Sequence, residues 1–363
     1  DNNKATVKRS YGNANGHTNN QSEVAVESEK EPVVIPHALI IGTQKGGTEA
    51  LVAYLKKHPD VVCSTRKEAH YFDFFSSPNE SPNGTIPQQD VQQYLRGYTA
   101  RAYNVTKIEN ARAQKKMLME KERKATGTAT TATGKEIVII EKTPIYMFHD
   151  KAPLRIQSTL PKTKLIVLLR DPVERAFSNY KMNRNGKDTF EEWIEKDIEV
   201  LKRAGLIPND ETRNHQRRII DWIERNSTDF DRAWKKYLTD KEMKRGSRPW
   251  GGATSIGRGM YVAQLRVFWR AYGSEKERRK QILIIKSENM RPSKDGHVNL
   301  KNITDFIGIP ELDSTNGNEV IHATKGDYVL REETKTRMRN IYLPYNLALA
   351  KMLGPDWQNT WSR

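Results

Sequence analysis

Chemistry gathers first around Lys45. It stands in Gly42-Thr43-Gln44-Lys45-Gly46-Gly47-Thr48, after the apolar run His37-Ala38-Leu39-Ile40-Ile41 and before Ala50-Leu51-Val52-Ala53-Tyr54-Leu55. That order reads as buried strand, glycine turn and amphipathic helix. A strand that turns on glycines into a helix offers free backbone N–H groups and the positive end of the helix dipole. Such a nest holds phosphate, and Lys45 and Thr48 can complete the cradle. Thr43 can add a hydroxyl, Gly46 and Gly47 can add N–H groups, and Gln44 lies within the same turn. The spacing differs from the nucleotide-triphosphatase loop, which sets four residues between its first glycine and Gly-Lys-[Ser/Thr]. Here the lysine precedes the glycine pair, which argues against an ordinary ATPase or GTPase.

Three more segments carry reactive side chains directly after apolar runs. Lys67-Glu68 and His70 follow Asp60-Val61-Val62-Cys63; Glu141-Lys142-Thr143-Pro144-Ile145-Tyr146 ends the run that starts at Glu136. Arg170-Asp171-Pro172-Val173-Glu174-Arg175-Ala176-Phe177-Ser178-Asn179-Tyr180 follows the run from Lys164. Ligands gather at such strand ends in parallel α/β sheets. Arg170 and Ser178 could grip a second phosphate, since an arginine fork suits a phosphate bidentately. Two separated phosphate grips suggest a bisphosphorylated nucleotide.

The elements that must position these residues are legible as alternating strands and helices. The runs at 37–41, 60–63, 136–141, 164–170 and 281–285 are apolar and rich in β-branched residues, as in a parallel sheet buried on both faces. The stretches 107–124, 189–204, 216–237 and 334–353 read as helices. Alternation of this kind implies one doubly wound α/β domain over residues 32–363. Residues 1–31 are polar and read as a disordered lead or stem. Residues 76–90 read as a loop, and the charged helix followed by the Ala/Thr/Gly-rich 125–134 reads as a surface insertion at about 105–135.

The chain has 363 residues, with 61 Lys+Arg against 45 Asp+Glu, a formal charge of +16. That excess favours an anionic partner: nucleic acid, anionic glycan, membrane surface or a phosphate-bearing cofactor. Cys63 is the only cysteine, so intramolecular disulfides and cysteine zinc clusters are excluded. No apolar run approaches the roughly 18 residues that span a bilayer. A membrane link would come through an N-terminal anchor outside this sequence. Asn-x-Ser/Thr sequons at Asn20, Asn79, Asn83, Asn104, Asn226 and Asn302 permit glycosylation in a secretory lumen.

Taken in order, the four strand-end motifs resemble the sulfotransferases that use 3′-phosphoadenosine 5′-phosphosulfate (PAPS). The likeness is nearest the heparan sulfate branch, its 3-O- and N-sulfotransferases, and runs over about residues 36–357. Gly42-x-x-Lys45-Gly46-Gly47-Thr48 is similar to that branch's 5′-phosphosulfate loop, a P-loop-like turn. Lys67-Glu68-Ala69-His70-Tyr71-Phe72-Asp73 resembles the segment of its catalytic glutamate. Glu141-Lys142-Thr143-Pro144-x-Tyr146 is close to its third-strand signature, and Arg170 to Tyr180 to its 3′-phosphate site. Arg258-Gly259-Met260-Tyr261 fits as well, and Thr324-Lys325-Gly326 resembles the loop that closes on the nucleotide. The branch's cysteine pair before that loop has no counterpart here, and Asp327 follows Gly326.

The resemblance implies a metal-free sulfuryl transfer to a carbohydrate hydroxyl or amine, leaving 3′,5′-adenosine bisphosphate (PAP). The acceptor would be a polysaccharide, an anionic one among them, and the place the Golgi lumen. Glu68 would be the general base, with Lys45 and Lys142 stabilising the transferring group. Thr43, Gln44, Lys45, Gly46, Gly47, Thr48, Arg170, Ser178, Lys325 and Gly326 would hold the donor. Lys67, His70, Lys142, Tyr146 and Arg258 would face the acceptor. Plain alternatives stand beside these roles: Glu68 a solvated loop carboxylate, Lys142 a solvent-facing strand end, Arg170 paired with Asp171 or Glu174, His70 a packed supporting ring. A small alcohol, sterol or tyrosine acceptor is the second reading. Nucleic-acid binding would use the charge but leave the strand-end motifs unexplained.

Overall fold

The computed structural model describes residues 32–126, 136–183, 188–208, 213–225, 227–241, 254–294, 297–311 and 329–361. Among them is a five-stranded sheet, β1 (Ala38–Gly42), β2 (Val61–Cys63), β3 (Val138–Lys142), β4 (Lys164–Leu169) and β5 (Ile282–Lys286). The strand order is β2-β3-β1-β4-β5 and each pairing is parallel. The helices are α1 (Thr48–Leu55), α2 (Gln88–Ala102), α3 (Val105–Thr126), α4 (Ala152–Thr159), α5 (Pro172–Asn183) and α6 (Phe190–Ala204). They continue with α7 (Arg213–Glu224), α8 (Thr228–Thr239), α9 (Tyr261–Ala271), α10 (Glu275–Gln281), α11 (Lys301–Ile307) and α12 (Glu332–Leu353).

Strand residues alternate between two cores, because successive side chains point to opposite faces. Ala38, Ile40, Val138, Ile140, Ile166 and Leu168 pack with α1 and α11. Leu39, Ile41, Ile139, Leu165, Val167 and Leu169 pack with α2, α4, α5 and the later helices. Each fully buried Leu or Ile contributes about 1.5–3 kcal/mol. The chain winds from β1 out to β2, returns through β3, then crosses β1 to β4 and β5. The expected doubly wound parallel sheet is therefore the fold, and its parallel strands bring every reactive segment to one edge.

Two expectations change. The helix expected over 216–237 is two helices: Ser227 accepts from the Asp229 N–H at 3.1 Å and caps a new start at α8. The charged helix α3 is not a purely surface feature. Ile108 is buried, and the buried Lys115 ion-pairs with Asp60 just ahead of β2. The Ala/Thr/Gly-rich run after it falls mostly on 127–135, outside the described residues, as do residues 1–31.

The loop expected at 76–90 ends at 87, just ahead of α2, and it is pinned from below. Glu80 takes the Arg155 guanidinium on both oxygens, at 2.8 and 3.0 Å, and also pairs with Lys151 at 3.1 Å. Arg155 turns its third nitrogen, Nη1, to the Phe72 carbonyl, tying this loop to the segment that carries Glu68. Arg155 and Glu80 are both buried, so removing one strands the other's charge. Glu80→Ala is expected to cost about 3–5 kcal/mol. Lys151→Ala, at a partly exposed position, is expected to cost under about 1 kcal/mol. Chemical denaturation of the two variants measures the contrast; equal losses would refute it.

Candidate active site

The Gly42–Thr48 turn, which the resemblance reads as the donor loop, is shaped by close approach. A Cβ on Gly46 would lie 2.7 Å from the Leu168 carbonyl of β4, so only glycine passes there. Gly47 takes φ 90° as the residue before α1, where glycine bears no steric penalty. No side chain caps α1, so the N–H groups of its first turn are open to an anion. The Ser287 hydroxyl donates to the Gly46 carbonyl and fixes the loop from the β5 side.

Cations crowd this loop. Lys45 is pushed below the usual lysine range by its partial burial, then by Arg170, Lys67, Arg175 and Lys181 around it. Arg170 Nη1 reaches the Lys45 carbonyl at 3.4 Å, and its other arm lies 3.6 Å from Glu174. Arg175 is fully buried, donating to the Gln44 carbonyl at 3.4 Å and to the Ser255 carbonyl. Arg258 donates to Gln44 Oε1 at 2.5 Å and to Thr254 Oγ1 at 2.9 Å, with its guanidinium over the Phe148 ring. Burial and the neighbouring Arg175 push Arg258 down to about 10. Ser178 is buried on α5. Like charges this close favour an anion among them.

Across β1 the charges are paired instead. Lys142, at the end of β3, is only 3% exposed and donates to Glu49 Oε2 at 2.9 Å and Glu68 Oε1 at 3.1 Å. Lys67 is exposed and lies 3.5 Å from Glu49 Oε2. The second Glu68 oxygen meets His70 Nε2 at 3.1 Å, and His70 Nδ1 meets Asp73 Oδ2 at 2.8 Å. Burial would raise the Glu68 carboxyl, but the His70 hydrogen bond and the Lys142 ammonium outweigh it and hold Glu68 below its ordinary value. Burial would lower His70, yet Asp73 and Glu68 carry it up to about 9. Beside the cluster lies a cavity of about 310 Å³ lined by Glu49, Lys56, Ser64, Arg66, Lys67 and Lys142.

The backbone under Glu68 is stitched to β3. The Ala69 N–H donates to Thr143 Oγ1 at 3.0 Å and Glu141 Oε1 at 3.3 Å. Thr143 in turn donates to Glu141. Burial pushes Glu141 up to about 7, with Thr143 and the Ala69 N–H pulling the other way. His70 sits at φ 50°, a left-handed conformation that is uncommon for a residue with a Cβ.

The structure thus brings Lys45, Glu68, His70, Lys142 and Arg170 to one sheet edge. Three expected acceptor contacts are engaged within the protein itself. Tyr146 is fully buried: its hydroxyl accepts from the Tyr71 N–H at 3.0 Å and its ring packs on Phe72, so it is core. Arg258 lies buried beneath Gln44 and props the donor loop. His70 has both ring nitrogens engaged, one on the carboxylate it serves. Lys142 is not a solvent-facing strand end. Lys325 and Gly326 lie outside the described residues. Sequence reasoning missed Glu49, Asp73 and Arg175. The Asp73 signal was its i+3 spacing from His70, and Arg175 stood unremarked inside the Arg170–Tyr180 run.

Comparison with known proteins gives the same direction. The profile described as "Sulfotransferase family" matches residues 36–221. Heparan sulfate glucosamine 3-O-sulfotransferase 3B1 of Mus musculus is 26% identical over 325 residues, 89% of this chain and 64% of that protein. The chain thus spans just under two thirds of that relative's length. The membrane-associated sulfotransferase kil1 of Dictyostelium discoideum is 24% identical, over 93% of this chain and 70% of its own. Heparan sulfate glucosamine 3-O-sulfotransferase 6 of Homo sapiens is 34% identical over 145 residues, 40% of this chain and 30% of its own. With a family profile matched across more than half its residues, the chain belongs to the sulfotransferase family.

Proposed function

We propose that this protein is an enzyme that moves a sulfuryl group from PAPS to a hydroxyl or amine of a carbohydrate. One observation carries the reading: an uncapped helix start ringed by cations lies next to a part-buried carboxylate on a buried ammonium at the same sheet edge. The residues fit the donor. The first turn of α1 with Lys45, Thr43 and Thr48 would take its 5′-phosphosulfate, and Arg170 with Ser178 its 3′-phosphate. The donor supplies an activated sulfuryl group, whose transfer is an in-line displacement with charge spread over peripheral oxygens.

The chain's residues then divide the work. Glu68 takes the acceptor proton as the acceptor oxygen or nitrogen bonds to sulfur and the sulfur–oxygen bond to the 5′-phosphate breaks. Lys45 offsets charge on the leaving phosphate. Lys142 offsets charge on the transferring group. His70, held by Asp73, fixes the second oxygen of Glu68 and so its aim.

A carbohydrate acceptor is supported by the heparan sulfate sulfotransferases among the relatives and by the polar cavity lined by Lys56, Arg66, Lys67 and Lys142. An anionic polysaccharide suits the net charge of +16. The Golgi lumen accords with this, since Asn79, Asn83, Asn104 and Asn302 are exposed sequon asparagines. Among the described residues no helix is long and apolar enough to cross a membrane.

PAP at a hundredfold excess over its dissociation constant is expected to raise stability by about 2.7 kcal/mol, while ADP and Mg²⁺-ATP give less. Thermal shift measures this, and a larger shift with Mg²⁺-ATP would break the reading. Glu68→Gln is expected to keep the PAP shift and lower kcat for glycan sulfation by about 10²–10⁴. Full turnover would remove Glu68 as the base. His70 has a raised folded pKa, so its stabilising contribution is complete below about 6.5 and is lost as pH rises through about 9. Urea unfolding of wild type and His70→Gln across that window should therefore converge on the alkaline side; a constant gap would refute the ion pair.

A further inference from the structure

The reaction as read leaves one charge unaccounted for. Lys142 is buried, and a buried ammonium needs a counter-ion throughout. Glu68 is one such partner, but as general base it takes up a proton and becomes neutral. At that moment Lys142 would stand in a desolvated pocket with its compensation gone. Glu49 is the second partner, and at 2.9 Å it lies closer than Glu68 at 3.1 Å.

Glu49 sits in the first turn of α1, directly after Thr48 of the donor loop. Glu68 sits on the other side, on the loop that follows β2. The Lys142 ammonium therefore bridges the donor half and the base half of the site. A carboxylate in a helix's first turn commonly just complements the dipole. That role does not require its Oε2 to meet a nearly buried ammonium. The second contact of Glu49, Lys67 at 3.5 Å, is exposed and adds little.

We propose that Glu49 is a positioning residue: its carboxylate is the standing counter-ion of Lys142 and holds that ammonium against the donor loop while Glu68 changes charge. This rests on the sulfuryl-transfer reading. Glu49 faces Lys142 from β3 and Lys67 from the base loop, and it shares the cavity wall with Lys56 and Arg66. It also places a negative charge near the anion-binding turn, so it works against donor affinity. Removing it should loosen Lys142 without weakening PAP.

The test combines amine footprinting with kinetics on Glu49→Gln. With an acylating reagent read by mass spectrometry, Lys142 should be protected in the wild type and label several-fold faster in the variant. The Lys151 rate should stay unchanged. Lys67→Met should leave the Lys142 footprint as it was. Glu49→Gln should lower kcat by about tenfold to a hundredfold, as a misplaced catalytic group does. PAP affinity should stay equal or tighten. The double variant Glu49→Gln/Lys142→Met should be no slower than Lys142→Met alone, because the two residues act as one unit. An unchanged Lys142 footprint, additive kinetic losses, or PAP affinity falling in step with kcat would each overturn the proposal. If Glu49→Gln does not fold, Glu49→Asp tests the same contact on a shorter arm, with an intermediate gain in Lys142 labelling expected and none overturning it. Failure of the wild type to bind PAP would instead sink the transfer reading, and the footprint would still report on the clamp.

Discussion

The site depends on a separation of charge across β1. On the β4 side, Lys45, Arg170, Arg175 and Arg258 stand close together, and burial adds to their mutual repulsion. On the β3 side, Lys142 is compensated by Glu49 and Glu68. The first half favours an anion by electrostatics, because a negative charge would relieve the repulsion. The second half is balanced, and on the proposed reading it is where the proton moves. A parallel sheet makes the separation possible, since all its strands end at one edge and the loops from β1, β2, β3 and β4 meet there.

Holding several cations near each other costs stability, and buried anchors offset that cost. Asp197 on α6 accepts from the N–H groups of Ile256 and Gly257 and from Tyr237 Oη at 2.8 Å. Burial pushes Asp197 up to about 7, with those hydrogen bonds opposing it. The anchor fixes the turn that carries Arg258, which in turn holds Gln44 of the donor loop. The Arg155–Glu80 pair does the same for the base loop through the Phe72 carbonyl. Each half of the site thus has a buried polar tether that reaches it through the backbone.

What the sequence revealed follows the range of each interaction. The five strands and the glycine turn were legible because they are local: β-branched runs, then Gly46-Gly47, then a helical period. Glu68, Lys45 and Arg170 were legible because they sit directly after strand ends. Burial was not legible, because it is set by partners far along the chain. Tyr146 became core through Tyr71 and Phe72, some 75 residues earlier. Arg258 reached Gln44 across 214 residues. Glu49 drew no reading from the sequence, because its partner Lys142 lies 93 residues further on. The break between α7 and α8 had a local signal, the Ser227 cap, but the apolar periodicity on both sides masked it.

The lowered pKa of Glu68 is consistent with a general base once the charge state of the site is considered. Both of its oxygens are taken, one by Lys142 and one by His70, and a carboxylate so held gives up its hold on a proton readily. On the proposed reading, negative charge arriving at the donor loop draws the Lys142 ammonium away from Glu68 and toward the transferring group. The carboxylate then loses one of its two cations, while the burial that opposes its charge remains. Its proton affinity rises at the step where a proton must be accepted. The same shift strengthens Lys142's hold on the charge that develops in transfer. One ammonium, shared between a base and an anion site, thus couples donor arrival to base strength, and it can do so only while it stays charged and in place.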